Sequence, residues 1–443
     1  MDNPLEVWAS KKRDGTITIY MASLKSFWKS LGPGLITGAA DDDPSGIATY
    51  SIAGAKFGLA TLWTVIVMLP FMVVIQRMSG RIGLVSGRGL AGNMKKHYPK
   101  WILLIVTLII LLANIINIGA DISAMAASIQ LLVPIPAMLL CALISATIIL
   151  LLIFLSYRQI AHYLKWIAII LFAYIFAALL VHEPWRQIAY RSIVPPWRWD
   201  KGYITILVAI FGTTISPYLF FWQASEAVEE KRVSQGIDMI PDVQPAQKRP
   251  RFIIRNEVGR MYKDVYYGMI FSNLITFFVI MLASTTLNGH GFYNVSSVGE
   301  IAQLLRPLAG PYANALFLIG IMASGILAIP VLAGSAAYAI AEMFGWKDGF
   351  ENNFGKAKQF YIVIILSTLL GLAIPALHLD PVNILYYTAV IFGAVSPFII
   401  ALVIHMANNP AIMGKNTSRL HSNILAYILL IVMSVSVIAL FFL

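Results

Sequence analysis

The segment Gly32-Pro-Gly-Leu-Ile-Thr-Gly-Ala-Ala-Asp41-Asp42-Asp43-Pro44-Ser45-Gly46-Ile-Ala sets three adjacent carboxylates and a Pro-Ser-Gly step inside an apolar run. A charge at membrane depth costs about 2.5–3.5 kcal/mol even on mild scales, so three in succession need water or a ligand. Proline removes a backbone donor and clashes with the preceding turn, and glycine tolerates unusual dihedrals. Together they predict that a helix starting here unwinds after Asp43. In lipid the freed carbonyls must be satisfied within the protein, and a cation beside a carboxylate satisfies them while neutralising the charge. A second interruption is expected at Phe211-Gly212-Thr213-Thr214-Ile215-Ser216-Pro217-Tyr218-Leu219, where small and hydroxylated residues crowd before a proline.

The rest of the chain explains why these are interruptions of membrane helices. Its 443 residues are 59% hydrophobic and 12% charged, and the mean hydropathy is +0.77, which excludes a set of soluble domains. The apolar runs are continuous rather than alternating, so a β-barrel is excluded as well. Eleven spans are expected, at about 31–54, 59–79, 101–130, 133–156, 162–182, 203–228, 264–287, 310–342, 360–379, 383–406 and 422–443. With the N-terminus inside, most Lys and Arg fall in cytoplasmic segments, among them Arg77, Arg81, Arg88, Lys95, Lys96 and Lys100, read as one loop. The net charge of +11 is therefore assigned to orientation in the cell membrane and not to nucleic acid. Residues 1–30 read as an uncleaved cytoplasmic segment, and residues 229–263 as a solvated cytoplasmic connector. Cys141, the single cysteine, excludes a disulfide framework.

The breaks fall in the first and the sixth span, the first helix of each group of five. That rank is expected of an inverted repeat, residues 31–182 against 203–406, with 422–443 as an added eleventh helix and the binding site at the midplane between the breaks.

Gly32-Pro-Gly, Asp43-Pro44, Arg81-Ile-Gly-Leu-Val-Ser-Gly-Arg88 and Gly-Thr-Thr-Ile-Ser-Pro217 resemble the natural resistance-associated macrophage protein (Nramp) family of divalent-metal transporters. The resemblance implies an all-α membrane fold of the leucine-transporter type, five plus five inverted helices with helices one and six broken. It also implies metal coordination by Asp43, by the residue at Ser216 and by backbone oxygens of Ala40 and Thr213. Where the family has Asp-Pro-Gly-Asn this chain reads Asp43-Pro44-Ser45-Gly46, so an amide ligand gives way to Gly46. Where the family has Met-Pro-His it reads Ser216-Pro217-Tyr218, so a thioether becomes a hydroxyl and an imidazole a phenol. Asn114 and Asn117 stand where proton-coupled members carry acids, and Thr388 falls near a polar family position on the tenth helix.

A soft sulfur donor favours manganese or iron over magnesium, whereas an oxygen-only site suits hard ions. The departures resemble the Nramp-related magnesium transporters, a branch that also lacks the methionine. The expectation is therefore uncoupled, monomeric Mg2+ uptake with Mn2+ admitted, by alternating access, the ion being cargo and not a resident cofactor. The alternative is a proton-coupled Mn2+ or Fe2+ carrier. Asp42 is expected in the second shell or at an entrance, Asp41 at the periphery, and Asp121 on the permeation path or water-exposed near its helix end. Glu226, Glu229 and Glu230 are expected at a solvated cytoplasmic helix end, the alternative being a cation exit vestibule. Adjacent aspartates on one helix do not make an aspartyl protease, which needs two carboxylates from different helices sharing a proton, so no enzyme is expected.

Overall fold

The computed structural model describes residues 37–38, 40–154, 169–181, 184–196, 198–234, 251–377 and 379–442, with backbone alone at 233–234 and 251–255. The segment 1–30, the middle of the connector and residues 162–168 and 182 of the expected fifth span lie outside the described residues.

Among those residues the chain is all-helical, and nine helices are long and apolar enough to cross a membrane. The main helices are α1 (Pro44–Phe57), α2 (Trp63–Ser86), α3 (Leu90–His97), α4 (Lys100–Gln130), α5 (Ala137–Phe154), α6 (Phe172–Leu180) and α7 (Trp185–Ile193). They continue as α8 (Lys201–Thr214), α9 (Pro217–Ser234), α10 (Arg251–Thr286), α11 (Ala313–Phe344), α12 (Lys358–Gly371), α13 (Pro381–Asn408) and α14 (Leu420–Phe442). Leu104, Leu108 and Leu112 of α4 form an exposed stripe, while Asn114, Asn117 and Asp121 of the same helix are fully buried. This inside-out partition suits a lipid-facing surface around a polar interior.

Both breaks are present; the first falls at Asp42 and Asp43, before Pro44 rather than after Asp43, and the second falls within the expected stretch. The first helix stops at Asp41, passes through Asp42 and Asp43, and restarts with Pro44 as its first helical residue. At that position proline's missing N–H costs nothing, because the first helical amides have no partner within the helix. The sixth behaves alike: α8 ends at Thr214, and α9 opens at Pro217.

Helix α10 runs alongside the first helix and bridges its break. A Cβ on Gly38 would lie 2.1 Å from the Gly268 carbonyl oxygen, and one on Gly54 would lie 2.4 Å from that of Ile280, so the backbones touch on both sides of the gap. Ser272 and Thr276 of α10 fall between these crossings. Helix α9 lies against α2 in the corresponding way, with Gly83 against the Ala224 carbonyl and the Lys231 ammonium on the Leu84 carbonyl at 2.7 Å. A third glycine crossing joins α8 to α13, where Gly212 meets Ala389 and Gly393 meets Val208.

Several expectations are corrected. Arg77, Arg81 and the residues to Ser86 belong to α2, and Leu90–His97 is helical, so the basic stretch is not one loop. Arg77 lies over the Tyr262 ring at 4.9 Å. The connector is shorter than 229–263, because α9 continues to Ser234 and α10 begins at Arg251. Glu226, Glu229 and Lys231 are buried rather than solvated, since the loop between α11 and α12 packs over that helix end. There Glu229 accepts from the Tyr338 hydroxyl and from the Glu351 amide, and Arg232 pairs with Asp348 at 3.0 Å. Gly349, at φ +105, permits the approach, since a Cβ there would lie 2.8 Å from the Glu229 carboxylate.

Candidate metal site between the helix breaks

Asp43 is the N-cap of α1. Its Oδ1 accepts from the Gly46 amide at 2.6 Å and from the Ser45 hydroxyl at 2.8 Å, and its Oδ2 accepts from Asn117 Nδ2 at 2.9 Å. The Asp-Pro-Ser-Gly order produces this locally: aspartate is a preferred cap, proline suits the first helical position, and glycine keeps the third open. The openness of Gly46 brings the breaks together, for a Cβ there would lie 3.2 Å from the Asp41 carbonyl oxygen and 3.3 Å from Thr213 Oγ1. Tyr50, one turn further along α1, shares a 3.0 Å hydrogen bond with Thr214.

The second break supplies oxygens that hydroxyls already cover. Ser216 Oγ donates back to the carbonyls of Gly212 and Thr213 at 2.9 and 2.8 Å, and Ser396 of α13 donates to Ile215 O at 3.1 Å. Tyr218 donates to the Ala40 carbonyl at 3.2 Å, closing the gap between the breaks. Ala40, Asp43, Thr213, Ser216 and Tyr218 are all at most 2% exposed, so this centre is shielded from solvent.

Asp43, Gly46, Ala40, Thr213, Ser216, Tyr218 and Asn117 therefore meet at one place. Asn114 does not join them: its amide donates to Leu332 O and Ser335 of α11 at 2.9 and 2.8 Å. Thr388 is buried on α13 and donates to Leu385 O of its own helix. Asp121 is not water-exposed near a helix end, because it is fully buried and Asn117 Nδ2 reaches its Oδ2 at 3.4 Å. Asp41 is not peripheral either, being fully buried with its Oδ2 on the Ser272 hydroxyl at 2.8 Å. Asp42 Oδ1 lies 3.4 Å from that hydroxyl. The sequence reading missed Ser272 and Ser396, although polar residues in the otherwise apolar spans of α10 and α13 were the available signal.

The donors at the junction are oxygens: one carboxylate, the Asn117 amide oxygen, three hydroxyls and backbone carbonyls. Among the described residues no three His, Cys, Asp or Glu side chains converge to hold a metal ion. An ion between the breaks would therefore rest on one carboxylate, neutral oxygens and retained water, a set that suits a hard or borderline divalent cation. Binding would also turn the Ser216 and Tyr218 hydroxyls away from the carbonyls they now cover.

The family model described as natural resistance-associated macrophage protein-like matches residues 34–443. The divalent metal cation transporter MntH of Acidiphilium cryptum is 24% identical over 393 residues, covering 88% of this chain and 84% of that protein. The crystal structure of the Eremococcus coleocola manganese transporter, bound to an aromatic bis-isothiourea compound, superposes with a TM-score of 0.73. The sequence identity is 17%, over 93% of this chain and 86% of the other. The inward-facing conformation of Mhp1 superposes at a TM-score of 0.55 and 13% identity, over 93% and 90% of the two chains. At these identities the two structures establish the shared fold.

Proposed function

The chain belongs to the natural resistance-associated macrophage protein-like family, and from that premise we propose that it carries a divalent metal ion across the cell membrane by alternating access. The ion is cargo, held between the two breaks by Asp43, Ser216 and the carbonyls of Ala40 and Thr213, with Gly46 leaving space for retained water. The observation that carries this reading is the meeting of the breaks at Gly46, beside a carboxylate shut away from solvent. Mobile halves of broken helices around a buried acid are how a membrane protein can present one ion to either side in turn.

The reading includes eleven spans in two inverted repeats, 31–182 and 203–406, with 422–443 appended and the N-terminus cytoplasmic. Its support is the nine long apolar helices among the described residues and the parallel roles of α10 beside the first helix and α2 beside the sixth. The protein is taken to act as a monomer.

Manganese replaces magnesium as the first expectation for the cargo, because the similar proteins carry the names MntH and manganese transporter. The resemblance to a magnesium-carrying branch finds no counterpart in those names. Magnesium stays as a second reading on one observation, the absence of sulfur and imidazole from the donors at the junction. Proteoliposomes containing a pH dye separate the possibilities. Mn2+ entry with acidification of the lumen supports a proton-coupled carrier, and Mn2+ entry without it supports uncoupled uptake. Failure of either ion to enter, with Asp43→Ala indistinguishable from the parent protein, overturns the transport reading.

A further inference from the structure

We infer that Asp41 and Asp42, together with Ser272 and Thr276 of α10, form a second cation site that takes the same divalent ion as cargo, separate from Asp43. The two carboxylates lie on the α10 side of the first break, and one hydroxyl, Ser272 Oγ, touches both, at 2.8 and 3.4 Å. Each is fully buried and each keeps one oxygen without a hydrogen-bond partner, Asp41 Oδ1 and Asp42 Oδ2. Asp43 offers the contrast, since three donors already satisfy it. The unmet demand for positive charge thus lies one step away from the residue that family resemblance selects.

An independent observation comes from α10. Thr276 lies one turn beyond Ser272 on the same face, is 1% exposed, and its Oγ1 meets the Tyr50 hydroxyl without the geometry of a full hydrogen bond. It sits beside Tyr50, which itself stands in the field of Asp41 and Asp42. The charged groups acting on the pair are each other and Asp43, and none is basic. Two buried carboxyls cannot both stay ionised in a membrane interior without a counter-ion, so in its absence they hold protons that an arriving cation displaces. A divalent cation neutralises both and meets only hard oxygen donors, two carboxylates and two hydroxyls, which matches manganese or magnesium chemistry. Because the site abuts the Asp41 carbonyl, which faces Gly46, the ion held there stands one step from the Asp43 junction. It is a waiting position on the path of the same cargo.

This inference rests on the divalent-cation reading, and the test keeps the two apart. Mn2+ binding is measured on the full chain in nanodiscs, by equilibrium dialysis and by the electron paramagnetic resonance of the ion. The parent protein is expected to bind two Mn2+, and Asp41→Asn with Asp42→Asn to bind one. Asp43→Asn is expected to retain the other. Should the double variant fail to fold, Ser272→Ala with Thr276→Val should weaken one of the two ions at least tenfold. Two ions in the double variant, or unchanged affinities in the hydroxyl variant, overturn the second site. One ion in the parent protein that vanishes with Asp43→Asn overturns the second site alone, whereas no Mn2+ bound by the parent protein overturns both readings.

Discussion

The phenol of Tyr218 donates to the carbonyl oxygen of Ala40 at 3.2 Å, so a side chain from the second break covers a backbone oxygen of the first. The bond ties the two interrupted helices together, and it occupies an oxygen that an ion between them would use. Tyr218→Phe removes the competitor while keeping the ring, which packs against Phe392 at 5.4 Å. A net hydrogen bond contributes about 1 kcal/mol, roughly a factor of five in an equilibrium. Mn2+ affinity, measured by titration calorimetry in detergent, should therefore rise about fivefold. Unchanged or weaker binding would show that the Ala40 carbonyl is not a ligand.

Asn117 and Asn114 are neighbours on one helix that the structure separates by role. Asn117 orients the Asp43 carboxylate, and partners of this kind typically contribute 10- to 100-fold to metal affinity. Asn117→Ala should lower Mn2+ transport by about that factor. Asn114 braces α4 against α11 instead. Asn114→Ala should leave the transport rate per folded molecule nearly unchanged and lower thermal stability by about 1–3 kcal/mol, the cost of orphaning buried polar groups. The reverse pattern in a flux assay and a melting curve would reject the assignment.

The breaks were legible because proline and glycine act locally: Pro44 and Pro217 start helices wherever the chain goes. Their distance from one another in sequence hid what lies across them. That Asp43 is at once a cap and an acceptor for Asn117 follows from residues 74 positions apart. Burial of Asp41 and Asp121 was misread for the same reason, since a carboxylate near a break or a helix end looks solvated until the packing of α10 or α4 is known. The connector failed differently. Charge alone marks Glu229 and Lys231 as exposed, but a tyrosine, an amide and a carbonyl from other elements receive them.

Close backbone crossings give a stability prediction with an internal control. At Gly212 an added Cβ would lie 2.0 Å from the Ala389 carbonyl oxygen, so Gly212→Ala must push α8 away from α13. Overpacking of this kind costs about 1–3 kcal/mol or more, and here backbone cannot move aside as a side chain could. Gly320, also buried in a helix, has nothing within 4 Å of such a Cβ. Gly320→Ala should be neutral or stabilising by up to about 1 kcal/mol. Equal melting temperatures for the two variants would contradict the crossing.

The Arg232–Asp348 pair predicts an asymmetric response at the cytoplasm-assigned end. Burial pushes the Asp348 carboxyl above the ordinary carboxylate range, more than Arg232 beside it pulls it down. Replacing Arg232 leaves a buried carboxylate without its ion-pair partner, at a cost of about 3–5 kcal/mol for a fully buried pair and less for this one, whose side chains are 14% and 13% exposed. Asp348→Asn removes the charge that needs compensation and should cost less. The sign of the pH effect follows from linkage. With its folded-state pKa above its unfolded value, Asp348 holds a proton more tightly in the native protein, so its contribution is complete below the unfolded pKa and is lost as pH rises through the folded one. Arg232→Ala should thus recover stability on acidification, while the Arg232→Ala, Asp348→Asn double variant should lose that recovery. Melting curves of both variants between neutral and mildly acidic pH give the comparison, and parallel curves would remove Asp348 as the group responsible.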